Sequence, residues 1–285
     1  MFTRASHPAT VTVNYRNKIE LDSKLLSTYY VDTITHTGLI TFINKFIFIK
    51  NKLGLEIKSA KFQRSLCTDN YGIIIKVSNY STNFETMSAA LDCHIFCVDT
   101  EVEIKYLSLN EYFEVDDWKY NMMAFTQVYD DIHLLTHNIV NKWLLSSSCT
   151  EYLGVGGEAG YYVKKNITKF TKAKCITNSA GIYTTNKYNL DAYHVENKLV
   201  DYKNEKIGAT TDNCIMLINI SRKGLREFVN ELPLTKEIIY IGCCQNAVEK
   251  DMKILNDKYI IADYYKQIMF PDSKYILFLI YMKMA

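Results

Sequence analysis

The sequence has very little proline and almost no net charge. Only 3 of its 285 residues are proline, and 33 basic residues against 31 acidic ones leave a formal net charge of +2. This balance excludes a highly charged nucleic-acid-binding tail, although it leaves room for a local basic patch. Because 48% of the residues are hydrophobic, the chain can build a buried core, and disorder along its whole length is excluded.

Long apolar runs are also missing. No stretch reaches the ~18 consecutive apolar residues that a membrane-spanning helix requires. The two candidates, residues 38–49 and 275–282, are predicted to be buried strands. The first nineteen residues include Arg4, Arg16 and Lys18 and no acidic residue, but they lack the apolar core of a secretory signal. We therefore expect an intracellular protein, cytoplasmic or mitochondrial, without a membrane segment.

The cysteines and histidines show no established metal-binding pattern. The eight cysteines form no Cys-x-x-Cys pair, which in a chain of this length predicts reduced intracellular thiols. Cys93, His94 and Cys97 could be metal ligands, but their segment alternates like a strand, which favours both cysteines as small hydrophobic residues. His133 and His137 lie one helical turn apart but lack the glutamate of a zincin helix. We predict that both histidines lie on a solvated helix face, and we expect no metal site.

Hydrophobic patterns predict a β-rich beginning. Several segments within residues 1–120 alternate or are continuously apolar, which predicts an α+β region that could bind RNA or a partner. These segments are residues 10–15, 39–49, 71–77 and 94–98.

The pattern changes near residue 120. Apolar residues from Val128 to Trp143 recur at steps of three or four, which predicts a helix. Residues 151–157 contain three glycines and are predicted to form a turn. Further on, short apolar runs alternate with helical segments, which favours an α/β domain over residues 121–285 with a parallel sheet and crossover helices.

Six short segments of this second region follow one another in a specific order. Taken together they resemble the RNA uridine-C5 (m5U) methyltransferase family over roughly residues 105–282. The family's N-terminal RNA-binding barrel and cysteine-ligated cluster have no counterpart in the sequence. The segments are Phe-Thr-Gln ending at Gln127, Leu-Gly-Val-Gly-Gly beginning at Leu153, residues 216–225 with Arg-Lys-Gly-Leu, residues 239–246 with Tyr-Ile-Gly-Cys-Cys-Gln-Asn, Asp-Met-Lys-Ile-Leu from Asp251, and Met-Phe-Pro-Asp-Ser from Met269.

The resemblance implies a class I methyltransferase-like (Rossmann-like) fold, in which S-adenosylmethionine lies over the carboxyl ends of parallel strands. It also implies a reaction sequence. A cysteine thiolate adds to C6 of a uracil that has left its stack, C5 takes the methyl group, and a carboxylate then removes the C5 proton.

Carried over residue by residue, the resemblance assigns candidate sites. Cys243 matches the nucleophile. The candidate cofactor-binding positions are Gln127, Gly154, Gly156, Thr177 and Asn219. A plain structural alternative stays open, in which the glycines serve a turn and Cys243 is a small residue at a strand end.

At five positions the sequence lacks the residues that the family's pattern has in its cofactor-binding and catalytic segments. Thr150 stands where an acid precedes the glycine loop, and Thr177 where an acid holds the ribose hydroxyls. Asn219 begins the segment that reads Asp-Pro-Pro in the family, and Cys244-Gln replaces Asn-Pro after the nucleophile. Leu277 occupies the position of the proton-abstracting carboxylate. Since leucine cannot accept a proton, the pattern indicates a degenerate relative.

A lysine-rich stretch provides candidate RNA contacts. Lys164, Lys165 and Lys169 lie in a stretch without acidic residues between Glu158 and Asp191, which could follow a phosphate backbone. Such lysines are equally typical of a solvated helix face. Arg222 and Lys223 match positions at which the family contacts RNA.

These observations predict an RNA-binding or structural subunit of an RNA-protein assembly, derived from an m5U methyltransferase and catalytically inactive. Its expected partner is tRNA or rRNA, with a ribonucleoprotein or protein partner left open. One alternative is an active tRNA or rRNA uracil-C5 methyltransferase that uses Cys243 and S-adenosylmethionine; an inactive protein would need no cofactor. A second alternative is a protein-interaction subunit that has lost RNA binding. Fold alone cannot choose among them.

Overall fold

The computed structural model describes residues 16–33, 35–66, 68–115, 117–124, 130–201, 211–220, 224–225, 232–268 and 276–285. The chain divides into two compact units. The first is built from Asn14–Met122 with Gln127–His133, and the second is built mainly from Leu134–Ala285 with Met123–Thr126.

The first unit contains a five-stranded sheet with strand order β1-β2-β3-β4-β5, and two helices. Strands β3 and β4 are parallel, and the other neighbouring pairs are antiparallel. The elements are β1 Lys18–Asp22, α1 Thr37–Lys52, β2 Ser59–Arg64, β3 Tyr71–Lys76, α2 Asn83–Leu91, β4 Ile95–Asp99 and β5 Ile104–Tyr106, followed by a hairpin of β6 Tyr112–Val115 and β7 Trp118–Asn121.

Helix α1 overturns the strand predicted for residues 38–49. Its buried residues recur at steps of three and four, so they form one face of a helix. The prediction was wrong because the run is rich in β-branched and aromatic residues, which are typical of strands, and its helical spacing was overlooked. The buried residues are Leu39, Phe42, Ile43, Phe46 and Ile47.

The other predictions for this unit have mixed outcomes. The strands expected at 71–77 and 94–98 coincide with β3 and β4. Cys97 lies buried in β4, whereas Cys93 precedes the strand and is half-buried. Burial raises the pKa of each thiol to about 12, which suits unreactive structural cysteines. The strand expected at 10–15 lies outside the described residues.

The second unit is a seven-stranded sheet flanked by helices. Its strand order is β10-β9-β8-β11-β12-β14-β13. The first five strands in this order are parallel, and β14 is antiparallel to both of its neighbours. The elements are α3 (Asp130–Ser146), which belongs to this unit from Leu134 onward, and then β8 Glu151–Gly156, α4 Ala159–Lys165, β9 Lys172–Thr177, α5 Ala180–Leu190, β10 Glu196–Leu199, β11 Thr211–Asn219, β12 Thr235–Gly242, α6 Gln245–Leu255, β13 Tyr259–Ile268 and β14 Ile276–Met284.

This order confirms the predicted α/β fold with crossover helices. The chain winds from β8 to β10 on one side of the sheet and then returns to place β11 and β12 on the other side. Such a reversal creates a crevice at the carboxyl ends of the two central strands, where ligands of doubly wound proteins bind. Here those strands are β8 and β11. None of the helices within the described ranges is long and apolar enough to cross a membrane.

Candidate functional site

The carboxyl ends of β8 and β11 meet at the winding reversal. Gly156 is paired with Asn219 in the register, and the backbone N–H of Gly157 donates a 2.7 Å hydrogen bond to the carbonyl oxygen of Asn219. Gly156 has φ of +90°, and a Cβ atom there would overlap the Asn219 carbonyl. The structure therefore brings two of the predicted cofactor positions together, and one of them requires glycine.

Gly154 lies inside β8 and not in the turn that the sequence predicted for residues 151–157. That prediction was wrong because glycine is most often a turn former, whereas this one makes room for a neighbouring helix. A Cβ atom at Gly154 would lie 2.7 Å from Cβ of Ala159 in α4. Gly154 thus sets how closely α4 packs on the strand.

Thr177 ends β9, the strand next to β8, and its side chain is fully buried. Its hydroxyl oxygen accepts a hydrogen bond of 3.1 Å from the backbone N–H of Ser179. A carboxylate at this position offers two charged oxygens to a ribose diol, whereas threonine offers one neutral hydroxyl. Since that hydroxyl already bonds to the backbone, the position does not fit a nucleoside ribose as a carboxylate would.

Asn219 differs from Thr177 because its buried side chain has a hydrogen-bond donor that is unsatisfied within the described part of the chain. Its side chain is 5% exposed, and its amide nitrogen has no hydrogen-bond partner among the residues that the structure describes. A buried donor without a partner costs about 1–3 kcal/mol of stability. At these strand ends, Asn219 is therefore better suited to donate a hydrogen bond to a ligand than Thr177 is to bind a ribose.

Cys243 follows β12 directly and is half-buried. The antiparallel β12–β14 ladder ends with the pair Gly242 and Phe278. Extending its register by one position puts Cys243 opposite Leu277. Leu277 is 1% exposed and belongs to β14. By the strand register, the residue opposite the predicted nucleophile is a leucine, which offers no proton acceptor.

A buried hydrogen-bond network near Cys243 was missed by the sequence analysis. The carboxylate of Asp251 in α6 accepts bonds of 2.6 Å from the hydroxyl of Tyr240 and 2.8 Å from the backbone N–H of Leu225. Burial raises the pKa of Tyr240, and the nearby Asp251 charge adds to the rise. The signal in the sequence was an aspartate at the helical spacing of the buried residues Val248, Met252 and Leu255.

His133 and His137 correct another prediction, because both are buried at 5% exposure and not on a solvated face. The ring of His137 stacks on Tyr161, with centroids 4.0 Å apart, and meets Tyr162 edge-on at 5.0 Å. The sequence prediction failed because helical spacing alone does not show which face α4 covers.

Two of the candidate RNA-binding lysines lie at the amino ends of the parallel strands, whereas Cys243 lies at their carboxyl ends. Helix α4 follows β8 and returns along it, so Lys164 and Lys165 in its last turn lie toward the amino ends of the strands. The ammonium group of Lys164 lies 6.0 Å from the ring centroid of Tyr193, and that of Lys165 lies 5.7 Å from the Tyr161 ring centroid.

The other lysines of the stretch have structural partners. Lys169 donates to the backbone carbonyls of Ser147 and Leu145 at the end of α3, where a positive charge is favourable. Two further lysines form ion pairs, Lys172 with Glu151 at 3.4 Å and Lys174 with Glu196 at 2.7 Å. The stretch therefore divides into separate groups with different roles.

Three predicted site residues, Gln127, Arg222 and Lys223, lie outside the described residues, as does the segment 269–275.

Comparison with known proteins identifies the fold. No protein-family model matches the sequence, and no curated protein matches it. Among solved structures, the Pyrococcus abyssi tRNA (uracil-54, C5)-methyltransferase in complex with S-adenosyl-L-homocysteine aligns with a TM-score of 0.68 at 15% identity, covering 95% of this chain and 76% of that chain. This likeness shows that the chain has the class I methyltransferase fold.

A second alignment is weaker. The tRNA m1G37 methyltransferase of M. jannaschii aligns with a TM-score of 0.49 at 9% identity, covering 78% of this chain and 74% of that chain. A TM-score at this level is too low to support a conclusion about this chain.

Proposed function

We propose that this protein is an RNA-binding or structural subunit derived from an RNA m5U methyltransferase, and that it does not complete methyl transfer. The observation that carries the proposal is the buried Leu277, which lies opposite Cys243 when the β12–β14 register is extended by one position. The tRNA uracil-C5 methyltransferase that aligns with 95% of this chain supports an RNA partner, tRNA or rRNA. The first unit is then a candidate for binding RNA or a partner protein.

The chemistry at C5 explains why a leucine here matters. After thiolate addition and methylation, C5 of the uracil still carries its proton. Release of the thiolate requires a base within hydrogen-bond reach of that proton, about 3 Å. Loss of a general base typically lowers the rate by about 10²- to 10⁴-fold. The expected failure is therefore either no covalent adduct or an adduct through Cys243 that is not released.

An active S-adenosylmethionine-dependent methyltransferase is the second candidate. One observation favours it: Cys243 is half-buried and lies two residues before α6, and the positive end of a helix stabilises an anion such as a thiolate. In that case a group other than Leu277 would act as the base, and S-adenosylmethionine would be the cofactor.

The test is to incubate the protein with bulk tRNA and rRNA and with methyl-labelled S-adenosylmethionine, and then to digest the RNA to nucleosides. Wild-type protein is expected to produce no labelled 5-methyluridine. Cys243→Ala and Cys244→Ala form a matched pair, because both thiols are half-buried and adjacent. Turnover that disappears in Cys243→Ala and persists in Cys244→Ala would overturn the proposal and establish the active enzyme.

RNA binding is measured separately, without cofactor, by titrating labelled tRNA or rRNA. Binding that persists in Cys243→Ala supports an RNA-binding protein without catalysis. If neither RNA binds at low salt, the protein-interaction alternative replaces the proposal.

A further inference from the structure

The solvent-facing side of helix α1, in the first unit, carries an exposed aromatic ring between two lysines. Phe48 is 69% exposed, although phenylalanine is among the residues most often buried. Lys45 precedes it by three residues and Lys52 follows it by four, so the three side chains lie on one face of the helix. Both lysines are exposed. This face therefore presents an apolar ring with a positive charge on either side.

Helix α1 contains no acidic residue, and its three lysines are Lys45, Lys50 and Lys52. The ammonium group of Lys45 donates a 3.1 Å hydrogen bond to the carbonyl oxygen of Leu91. A carbonyl oxygen has no formal charge, so this bond does not neutralise the lysine. Lysines in the last turn also favour the negative end of a helix, which accounts for Lys50 and Lys52 but not for the exposed ring. A ligand of this face is therefore expected to be negatively charged and to have an apolar surface.

A second exposed ring lies close to the first. Asn44, one turn before Phe48, accepts a hydrogen bond of 2.7 Å from the backbone N–H of Tyr30 and donates one of 2.9 Å to its carbonyl oxygen. These two bonds hold the segment that precedes α1 against the helix. Tyr29 is next to the clamped residue and is 75% exposed. Asn44 thus brings two exposed aromatic rings to the same part of the first unit.

Exposed rings beside lysines suit single-stranded nucleic acid. Unpaired bases pack face to face on aromatic rings, and lysines neutralise the phosphates of the same strand. In a double helix the bases already stack on one another, so they do not reach the rings. A protein partner would need an apolar patch and acidic groups at matching positions, whereas every unpaired RNA segment has both a base surface and a negative charge.

We propose that this face of α1 binds unpaired nucleotides of an RNA. Phe48 and Tyr29 are the stacking surfaces, and Lys45 and Lys52 contact the phosphates. The inference rests on the proposed function, because it names the surface through which the first unit contacts RNA.

The test measures the affinity of the full-length protein for a short fluorescein-labelled single-stranded RNA of mixed sequence, by fluorescence anisotropy. Wild-type protein should bind this RNA more tightly than a fully paired RNA of the same length. Phe48→Ala and Tyr29→Ala should each lower the affinity by about 5- to 150-fold, the loss expected for one stacked base. Because both rings are exposed, the variants should keep the thermal midpoint of the wild type.

Two further substitutions separate stacking from simple apolar contact. Phe48→Trp keeps a flat ring and should retain the wild-type affinity. Phe48→Leu keeps apolar area without a ring and should bind as weakly as Phe48→Ala. Leu109→Ala is the matched control, because it removes a fully exposed apolar side chain elsewhere in the first unit, and it should leave the affinity unchanged.

Lys52→Ala tests the phosphate contact. It should reduce the slope of log affinity against log salt by about 0.7, the value for one phosphate of a single strand. Lys76→Ala is the matched control. Lys76 is exposed and follows Ile75 in β3, and Ile75 packs in the core that includes the buried face of α1. Since successive residues of a strand point to opposite faces, Lys76 points away from α1, and its loss should leave the slope unchanged.

Ultraviolet crosslinking of the wild-type complex gives a reading that needs no variant. RNA should become attached to the tryptic peptide of residues 46–50, which Lys45 and Lys50 delimit and which contains Phe48. Crosslinks confined to other peptides would place the RNA elsewhere and overturn the proposal.

The remaining outcomes separate this surface from the proposed function. Wild-type affinity in Phe48→Ala and Lys52→Ala would overturn the α1 surface while RNA binding itself stands. Wild-type affinity in Phe48→Leu but not in Phe48→Ala would identify an apolar contact without stacking, which also overturns the proposal. If wild-type protein binds neither RNA at low salt, the proposed function fails and this surface fails with it.

Discussion

Tyr240 donates a hydrogen bond of 2.6 Å to Asp251, and both side chains are buried. The same carboxylate oxygen accepts a bond from the backbone of Leu225, so Asp251 connects α6 with β12 and with the segment at Gly224–Leu225. The strand that leads to Cys243 and this segment therefore depend on one carboxylate.

Removing the Tyr240 hydroxyl should destabilise the protein. Tyr240→Phe leaves the buried Asp251 carboxylate one donor short, which costs about 1–3 kcal/mol. The free energy of unfolding in urea measures this loss. Tyr80→Phe is the control, because the Tyr80 hydroxyl bonds the exposed carboxylate of Glu85 at 2.9 Å, where water can replace the missing donor. Equal losses in the two variants would contradict the special role of the Asp251 network.

The parallel sheet and crossover helices of the second unit could be predicted from the sequence, whereas the buried face of each helix could not. The runs at 214–218 and 238–241 are apolar on both faces because β11 and β12 lie inside the sheet. Such continuous runs identify central parallel strands. Residues 39–49 looked similar but form α1, because a buried helix face and a buried strand both produce dense apolar runs.

For the candidate site, motif matching found some residues and missed others. Matching motif order found Gly156, Asn219 and Cys243, which the structure places at the carboxyl edge of the sheet. It did not find the stacking of His137 on Tyr161, since residues 24 positions apart in sequence meet only through the packing of α4 on α3. No periodic pattern within either helix indicates which residues of the other helix it contacts.

Gly156 should tolerate alanine far less well than Gly54. Both glycines have positive φ, +90° and +63°, but only at Gly156 would a Cβ atom overlap a neighbouring backbone oxygen. Left-handed strain alone costs about 1–2 kcal/mol, and overlap in a packed site adds about 1–3 kcal/mol. Urea unfolding should therefore show a loss of about 2–5 kcal/mol for Gly156→Ala and about 1–2 kcal/mol for Gly54→Ala. Similar losses would mean that the β8 and β11 ends can separate at little cost.

RNA binding, if it uses the lysine stretch, should depend on Lys164 and Lys165. Lys169 is a poor probe, because it donates to the carbonyls at the end of α3 and its removal would disturb the fold. The double variant Lys164→Ala/Lys165→Ala should weaken tRNA binding. It should also reduce the slope of log affinity against log salt by about 0.7–0.9 for each phosphate that the protein no longer neutralises.

Lys172→Ala/Lys174→Ala is the matched control for this prediction. It removes the same charge from the same stretch, but these lysines pair with Glu151 and Glu196, so their charges are already partly compensated. We expect a smaller change in salt slope, measured by fluorescence anisotropy at several salt concentrations. An equal loss of affinity in both double variants would indicate a general effect of net charge. Unchanged affinity and slope in the first variant would identify Lys164 and Lys165 as a solvated helix end, and RNA would then have to bind through another surface.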